Sequence, residues 1–396
     1  MEEAFFRTHT YLVEHTDAPV RRTLMDEIDW NDRMIGIKGT RGVGKSTFLL
    51  QYAKEHFGPY DRKCLYVNMN NFYFQSRGIA DFAGDFVNQG GRTLLIDQVF
   101  KQQDWSKELR KCYDLYPELK IVFTGSSVMR LKEENPELNG IVKSYNLRGF
   151  SFREYINLKT GNDFQPYELE DILRNHEHII KQILPKVSPM KYFNDYLHHG
   201  FYPFFLEQRN FTENLLKTMN MMTEVDILLI KQIELKYLPK IKRLFYELAV
   251  EGAKAPNVSQ LAESINTSRA TVMNYIKYLA DSRLINMIYP DGQDFPKKPS
   301  KVMMHNTNLM YAIYPIQIDK QEVMETFFVN SLWKDHKVHQ GGKDHFYTVD
   351  GNRKFRICDA QTPNKMRSNP DTIYARYNTE VGKDNKIPLW LLGFLY

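Results

Sequence analysis

MIGIKGTRGVGKSTFLLQYAKEH, residues 34 to 56, decides how the first part of this chain folds. Its opening residues, 34–37, read as a buried strand, and residues 47–56 read as an amphipathic helix. Between them, Gly39, Thr40, Arg41, Gly42, Val43, Gly44, Lys45 and Ser46 fit the pattern GxxxxGK[ST], with Thr47 next in line. The glycines let backbone N–H groups curl around phosphate oxygens, and the helix N-terminus adds positive potential. Lys45 would reach the terminal phosphates, and Ser46 would bind magnesium. Strand, loop and helix come in the order the motif requires, so residues 39–47 predict a site for ATP and Mg2+.

Three further apolar runs, CLYVNMN (64–70), TLLIDQ (93–98) and KIVFTGSS (120–127), are continuous enough to be strands covered on both faces. Helical segments such as DWSKELRKCYDLYPE separate them. This alternation predicts an α/β fold with a doubly wound parallel sheet and its ligand at the strand C-terminal ends. Asp97 ends one strand and would face Ser46, holding magnesium directly or through water. Thr124 or Ser126 ends the neighbouring strand and would sense the terminal phosphate, although small polar residues also simply begin loops. After Asp97, nucleotide hydrolases often carry Glu as the base that activates water; here Gln98 follows. A neutral amide orients water but cannot take its proton. Lys45 and Gln98 are therefore the candidate catalytic residues of a site that turns over slowly or draws its base from elsewhere.

Length and composition bound the rest. A chain of 396 residues has room for two or three domains, and 25 Phe and 24 Tyr with no low-complexity tract argue against disorder. No stretch approaches the ~20 apolar residues of a membrane helix, and the N-terminus lacks a basic region followed by an apolar core. The expectation is a cytoplasmic protein without a membrane partner. Cys64, Cys112 and Cys358 lie too far apart to form a zinc cluster by spacing and are expected as core thiols. A net charge of +5 permits an anionic partner such as DNA without demonstrating one.

Farther along, NVSQLAESINTSRATVMNYIKYLADSRLINMIYP places apolar Leu261, Ala262 and Ile265 on a short helix. A turn follows at Asn266 and Thr267, then a second helix from Ser268 with apolar Val272, Ile276 and Leu279. Two short helices joined by a tight turn predict a helix-turn-helix, and LINMIYP with KVMMHN supplies two strands of a wing. Ser268, Arg269, Thr271, Asn274 and Lys277 fall on the polar face of the second helix, where their types suit phosphate and base-edge contacts. Lys297, Lys298 and Lys301 are expected on the wing as salt-sensitive backbone contacts. The same pattern serves protein-interaction modules, and nothing in it specifies a base sequence. FYPFFLEQ, residues 201–208, is an aromatic patch expected in packing rather than in base stacking.

The phosphate loop, the IDQ strand, the FTGSS strand and YNLRGFSFREYI together resemble a bacterial and archaeal family of AAA-type ATPases, and the likeness runs to the ending NKIPLWLLGFLY. The resemblance implies an ATPase core over 1–150, a helical lid and connecting helices over 151–238, a winged helix over 239–306, and a small α+β domain related to restriction endonucleases over 307–396. It also implies a homo-oligomer, with a hexameric ring as one form. Two departures matter: the family carries Asp-Glu where this chain has Asp97-Gln98, and paired arginines where it has Asn139, Gly140 and Ile141. Those arginines resemble fingers that reach a neighbouring subunit's phosphates. Decayed hydrolysis and a Glu deliberately replaced to hold the ATP-bound state both account for Gln98. Arg130, Arg148 and Arg153 are the remaining candidates for trans-acting arginines.

An endonuclease-like domain needs two carboxylates for magnesium and a lysine to polarise water. Asp350 and Asp359 are the available carboxylates, but Ala360 and Gln361 follow Asp359 and no lysine completes the set. This predicts a degenerate domain kept for packing, oligomer contacts or DNA backbone binding, without nuclease activity. His336, His339 and His345 lack further ligands at firm spacing and are expected as surface residues, and IPLWLLGFLY is expected as a buried element. The functional expectation is an ATP-binding, oligomeric protein that couples nucleotide occupancy to binding of DNA, forked or branched DNA included. The alternative is a nucleotide-dependent protein-remodelling or signalling switch whose winged helix contacts a protein.

Overall fold

The computed structural model describes residues 2–129, 131, 134–207, 210–342, 346–361 and 369–396. They form two compact units, 1–149 and 150–396. Arg130 and His345 lie outside the described residues.

In the first unit, β1 (Met34–Gly39), β2 (Cys64–Asn68), β3 (Thr93–Asp97), β4 (Lys120–Ser126) and β5 (Lys143–Asn146) make one parallel sheet in the order β2-β3-β4-β1-β5. Every residue of β3 is buried, as expected of a strand with helices on both faces. The four strands predicted from apolar runs are present. β5 is the addition: its sequence KSYN is mostly exposed and carries no apolar run to announce it. The helix Lys45–His56 buries Phe48, Leu49, Leu50, Tyr52 and Ala53 against the sheet, each large side chain contributing about 1.5–3 kcal/mol of burial. β1 and β3 therefore end beside the N-terminus of that helix, with β4 between them.

In the second unit, the helix Phe152–Thr160 opens with a capping box. Ser151 Oγ accepts the Glu154 N–H at 3.1 Å, and Glu154 Oε2 accepts the Ser151 N–H at 3.0 Å. This helix, Leu169–Ile183 and Lys320–Leu332 share one hydrophobic core with the C-terminal sheet and the wholly buried turn Leu389–Phe394. That sheet runs β12-β11-β10-β9-β8 through Val338–Gln340 (β8), Phe346–Val349 (β9), Arg353–Asp359 (β10), Thr372–Tyr377 (β11) and Lys386–Pro388 (β12). Its β10–β11 and β11–β12 pairs are parallel, and β8–β9 and β9–β10 are antiparallel. IPLWLLGFLY is buried here as expected, and Phe201 and Tyr202 of the aromatic patch are buried too.

Between these parts, helices Val258–Ser264 and Arg269–Asp281 are joined by a tight turn in which Asn266 takes φ 47°, a left-handed conformation that Asn tolerates better than most residues. Ser268 caps the second helix by accepting the Thr271 N–H at 3.1 Å. Strands β6 (Ile285–Ile288) and β7 (Lys301–Met304) then pair antiparallel. The segments flanking the pair are fastened to the C-terminal sheet and to the helix Lys320–Leu332: Gln340 N donates to Tyr289 O at 2.8 Å, and Asn330 Nδ2 donates to His305 O at 3.0 Å.

Two expectations fail in this unit. Lys301 does not lie on an exposed wing; it is 6% exposed, and its ammonium donates to Glu325 at 2.8 Å and to the Tyr347 hydroxyl at 3.1 Å. A cation so enclosed must be paired internally. Arg153 is equally withdrawn, donating to Tyr396 O at 3.1 Å and Phe164 O at 2.8 Å, so it is a packing tie and not a finger for another subunit.

Candidate nucleotide-binding site

The loop of residues 39–46 takes its shape from three glycines. Gly42 and Gly44 adopt φ of 84° and 92°, where a side chain would be strained, and a Cβ at Gly39 would meet Leu147 O at 2.4 Å. Lys45 Nζ folds back over the loop, donating to Gly39 O at 2.8 Å and Thr40 O at 2.7 Å. Thr40 and Val43 are buried, Arg41 and Ser46 half-buried, and Thr47 exposed. An unpredicted residue braces the loop from the N-terminal side. Arg22, 8% exposed, donates to Val43 O at 3.2 Å and to the carbonyls of Arg148 and Gly149 at 2.7 and 3.1 Å.

Asp97 is the centre of the site and is 1% exposed. Its Oδ2 accepts from Ser46 Oγ at 2.6 Å, the Tyr66 hydroxyl at 2.8 Å and Asn68 Nδ2 at 3.0 Å, and its Oδ1 accepts from Thr124 Oγ1 at 2.5 Å. The predicted meeting of Ser46 with Asp97 is there, although 51 residues separate them in sequence. Tyr66 and Asn68 escaped the sequence reading because, within a continuous apolar strand, a tyrosine reads as core and an asparagine as the strand's end. Their spacing of two, which puts both on one face of β2, was the signal. Burial, then the charge of Asp97, raises the Tyr66 phenol above its ordinary range, so it stays a donor.

Of the two candidates ending β4, Thr124 is bonded to Asp97, and it also accepts the Gln98 N–H at 2.9 Å. Ser126 pairs with Gly39 in register and its hydroxyl accepts the Val128 N–H at 3.4 Å. Gln98 itself sits at φ 56°, ψ 48°, a left-handed conformation uncommon for a residue with a side chain. Such strain persists where surroundings over-determine it, and the bond from Thr124 is one of the constraints. The donor set fits a magnesium nucleotide: a glycine loop of free curvature, an ammonium over it, and a hydroxyl and a carboxylate 2.6 Å apart at the helix N-terminus.

The residues expected to meet DNA lie elsewhere, in the second unit. Ser268, Arg269 and Asn274 are exposed and Thr271 is half-buried; Lys297 and Lys298 are exposed in the segment between β6 and β7. Lys277 is half-buried and paired with Asp281 at 2.6 Å. Asp350 lies in the turn between β9 and β10, and Asp359 ends β10. Asp350 accepts from the Lys337 N–H, His336 and Arg353, and Asp359 from the Gln361 N–H and Asn378. His339 lies 3.6 Å from Asp291. Among the described residues no group of three or more His, Cys, Asp or Glu is placed to hold a metal ion, and no helix is long and apolar enough to cross a membrane.

Comparison with known proteins places these observations. Residues 31–156 match the family described as an AAA domain, and residues 190–320 match a domain of unknown function, DUF8612. An uncharacterised protein of Methanocaldococcus jannaschii is 26% identical over 294 residues, covering 70% of this chain and 61% of the relative's length. Among solved structures, PCH-2 of C. elegans is 17% identical with a TM-score of 0.24, the overlap covering 38% of this chain and 42% of that one. The Aeropyrum pernix ORC1 protein, solved in complex with DNA, is 10% identical with a TM-score of 0.30, over 80% of this chain and 92% of that one. Overlaps this loose say nothing of what this chain binds. The parallel five-stranded sheet, the loop of residues 39–46 and the match over residues 31–156 make this part of the chain similar to an AAA domain, a nucleotide-binding fold.

Proposed function

We propose that the chain is an ATP-controlled oligomer that holds Mg-ATP at residues 39–47, Asp97 and Ser126, and couples its occupancy to DNA binding. The observation that carries the nucleotide part is the 2.6 Å contact between Ser46 and Asp97 beneath the glycine loop. Lys45 would move from the loop carbonyls onto phosphate oxygens, exchanging neutral acceptors for charged ones. Ser46 and Asp97 would hold magnesium, whose chemistry is to neutralise phosphate charge. Gln98 would orient the attacking water without deprotonating it, so turnover is slow and occupancy persists.

The DNA part rests on the polar face of Ser268, Arg269, Thr271, Asn274 and Lys277, with Lys297 and Lys298 nearby in sequence, in a module we read as a winged helix spanning 239–306. Residues 151–238 are read as lid and connecting helices, and residues 307–396 as a nuclease-like domain retained without its chemistry. A second reading, in which this module contacts a protein, gains support from Lys301 and Lys277, whose charges are matched within the chain.

The deciding experiment is ATP hydrolysis by the chain and by Gln98→Glu, each with and without forked DNA. Turnover raised by orders of magnitude in the variant, with stimulation by DNA, supports a DNA-dependent machine held back by Gln98. Background turnover in both, with ATP still bound, makes the protein a nucleotide-gated scaffold. DNA binding without a steep dependence on salt would remove DNA from the proposal.

A further inference from the structure

We infer that Tyr66 and Asn68 set the magnesium affinity of the nucleotide site by occupying acceptor positions on Asp97 that a metal-bound water would otherwise take. The inference rests on Asp97 being the metal-side carboxylate of that site. An ionised carboxylate offers about four lone-pair positions. They are divided two to an oxygen: on Asp97 the donors from Ser46, Tyr66 and Asn68 crowd Oδ2, while Oδ1 carries Thr124 alone.

The four donors differ in what they leave open. Ser46 can keep its hydrogen on Asp97 while its oxygen offers a lone pair to a cation, so its contact is compatible with metal. Thr124 is fully buried in β4 and also carries the Gln98 N–H, which ties it to the strained backbone after β3. Tyr66 and Asn68 belong to neither the phosphate loop nor the strands that flank it. They come from β2, two residues apart, with Asn68 directly opposite Asp97 in the ladder. Each donates a single hydrogen to a position on Oδ2, the oxygen that also faces Ser46.

A metal held at Ser46 would bring waters that need acceptors, and Oδ2, the Asp97 oxygen beside Ser46, is already crowded by protein donors. The site would then take nucleotide readily and magnesium only at higher concentration. Tyr66 is the cleaner lever of the two. Its ring is buried and its backbone N–H is held by His9 Nδ1 at 3.0 Å, so removing the hydroxyl alone leaves the ring packing in place.

The test is retention of a fluorescent ATP analogue by the full chain as magnesium is titrated, for the natural sequence, Tyr66→Phe and Asn68→Ala, with binding in EDTA measured alongside. Tyr66→Phe is expected to lower the half-saturating magnesium concentration roughly three- to tenfold, the scale of one hydrogen bond to a charged group. Asn68→Ala should move it in the same direction, and affinity in EDTA should hold. A half-saturating concentration that stays put or rises in both variants overturns the inference while leaving the nucleotide reading intact. Failure of every protein, natural sequence included, to retain the analogue overturns the nucleotide reading and this inference with it.

Discussion

Asp97 and Glu325 are both carboxylates almost completely withdrawn from water, 1% and 2% exposed, yet their surroundings treat the charge in opposite ways. Asp97 is held by four neutral donors, which solvate its charge without cancelling it. Glu325 lies 2.8 Å from the Lys301 ammonium. Burial alone would raise the Glu325 carboxyl, and the Lys301 charge with the bonds from Lys301, Tyr347 and Gln321 more than offsets this, leaving it below the usual range. The two lysines follow the same division: Lys45 donates to neutral carbonyls, Lys301 to a carboxylate. A buried carboxylate is thus no sign of a site by itself. A site ready for an outside ion surrounds its carboxylate with dipoles; a structural tie joins it to a cation.

The largest effect that tests this contrast is Lys301→Ala. Removing one partner of a buried pair leaves an uncompensated charge, expected to cost about 3–5 kcal/mol. Hydrogen exchange along residues 320–332 would report it. The double variant Lys301→Met with Glu325→Gln should recover most of the loss, because no lone charge remains and the amide can still accept from Tyr347. A cost under about 1 kcal/mol for Lys301→Ala, the scale of an exposed pair, would break the comparison.

This tie also marks where the sequence stopped being readable. The phosphate loop and Asp97 were legible because local pattern determines them: apolar strand, glycine turn, amphipathic helix. The four central strands were equally open, since burial on both faces demands unbroken apolar runs. β5 was not, because an edge strand pays no such demand and KSYN looks like loop. Lys301 was misread for a deeper reason. A lysine beside an exposed segment reads as a surface cation until its partner is known, and Glu325 lies 24 residues away on the helix Lys320–Leu332. Arg153 hid in the same way, its acceptor at Tyr396 lying 243 residues on. Long-range partners have no local signature. Tyr66 and Asn68 stand between these cases, legible in spacing but not in purpose.

Next in size is a pH effect in the neutral neighbourhood of Asp97. His9 is buried, its Nδ1 accepts the Tyr66 N–H, and its Nε2 has no hydrogen-bond partner among the described residues. Burial lowers its pKa from 6.5 to about 4. Between those values the unfolded chain binds a proton that the folded chain refuses, so the contribution is intact above pH 6.5 and is lost as pH falls towards 4. The loss amounts to about 3 kcal/mol at most. Chemical denaturation from pH 7.5 to 4 should show the first unit weakening, and His9→Gln should flatten that slope even if it lowers stability at pH 7.5. An unchanged slope would mean that His9 is protonated in the folded chain and that a charge does sit in this neighbourhood.

Lys45→Ala comes third. If Lys45 exchanges loop carbonyls for phosphate oxygens, its loss removes one charge-assisted bond, worth about 1.5–3 kcal/mol, or roughly 10- to 100-fold in ATP affinity. Equilibrium binding of ATP measures it, and stability should change little, since the loop carbonyls can turn to water. A variant that binds ATP as well as the natural sequence would place Lys45 with Lys301, as a structural tie.

The smallest effect applies the same contrast to the candidate DNA face. Lys277 is matched within the chain by Asp281 at 2.6 Å, whereas Arg269, at the exposed start of its helix, makes no ion pair among the described residues. A cation already matched releases fewer counterions on meeting a phosphate, because it must first leave its carboxylate. Each phosphate neutralised contributes about 0.9 to the slope of log affinity against log salt. Arg269→Ala should therefore flatten the salt dependence of duplex binding by about one unit, while Lys277→Ala should change it by clearly less. Equal flattening by both would mean that the Lys277 pair opens on binding, so that distance within the free chain does not separate structural charges from available ones here. No flattening by either would take this helix out of the DNA face and leave the protein-partner reading in possession of it.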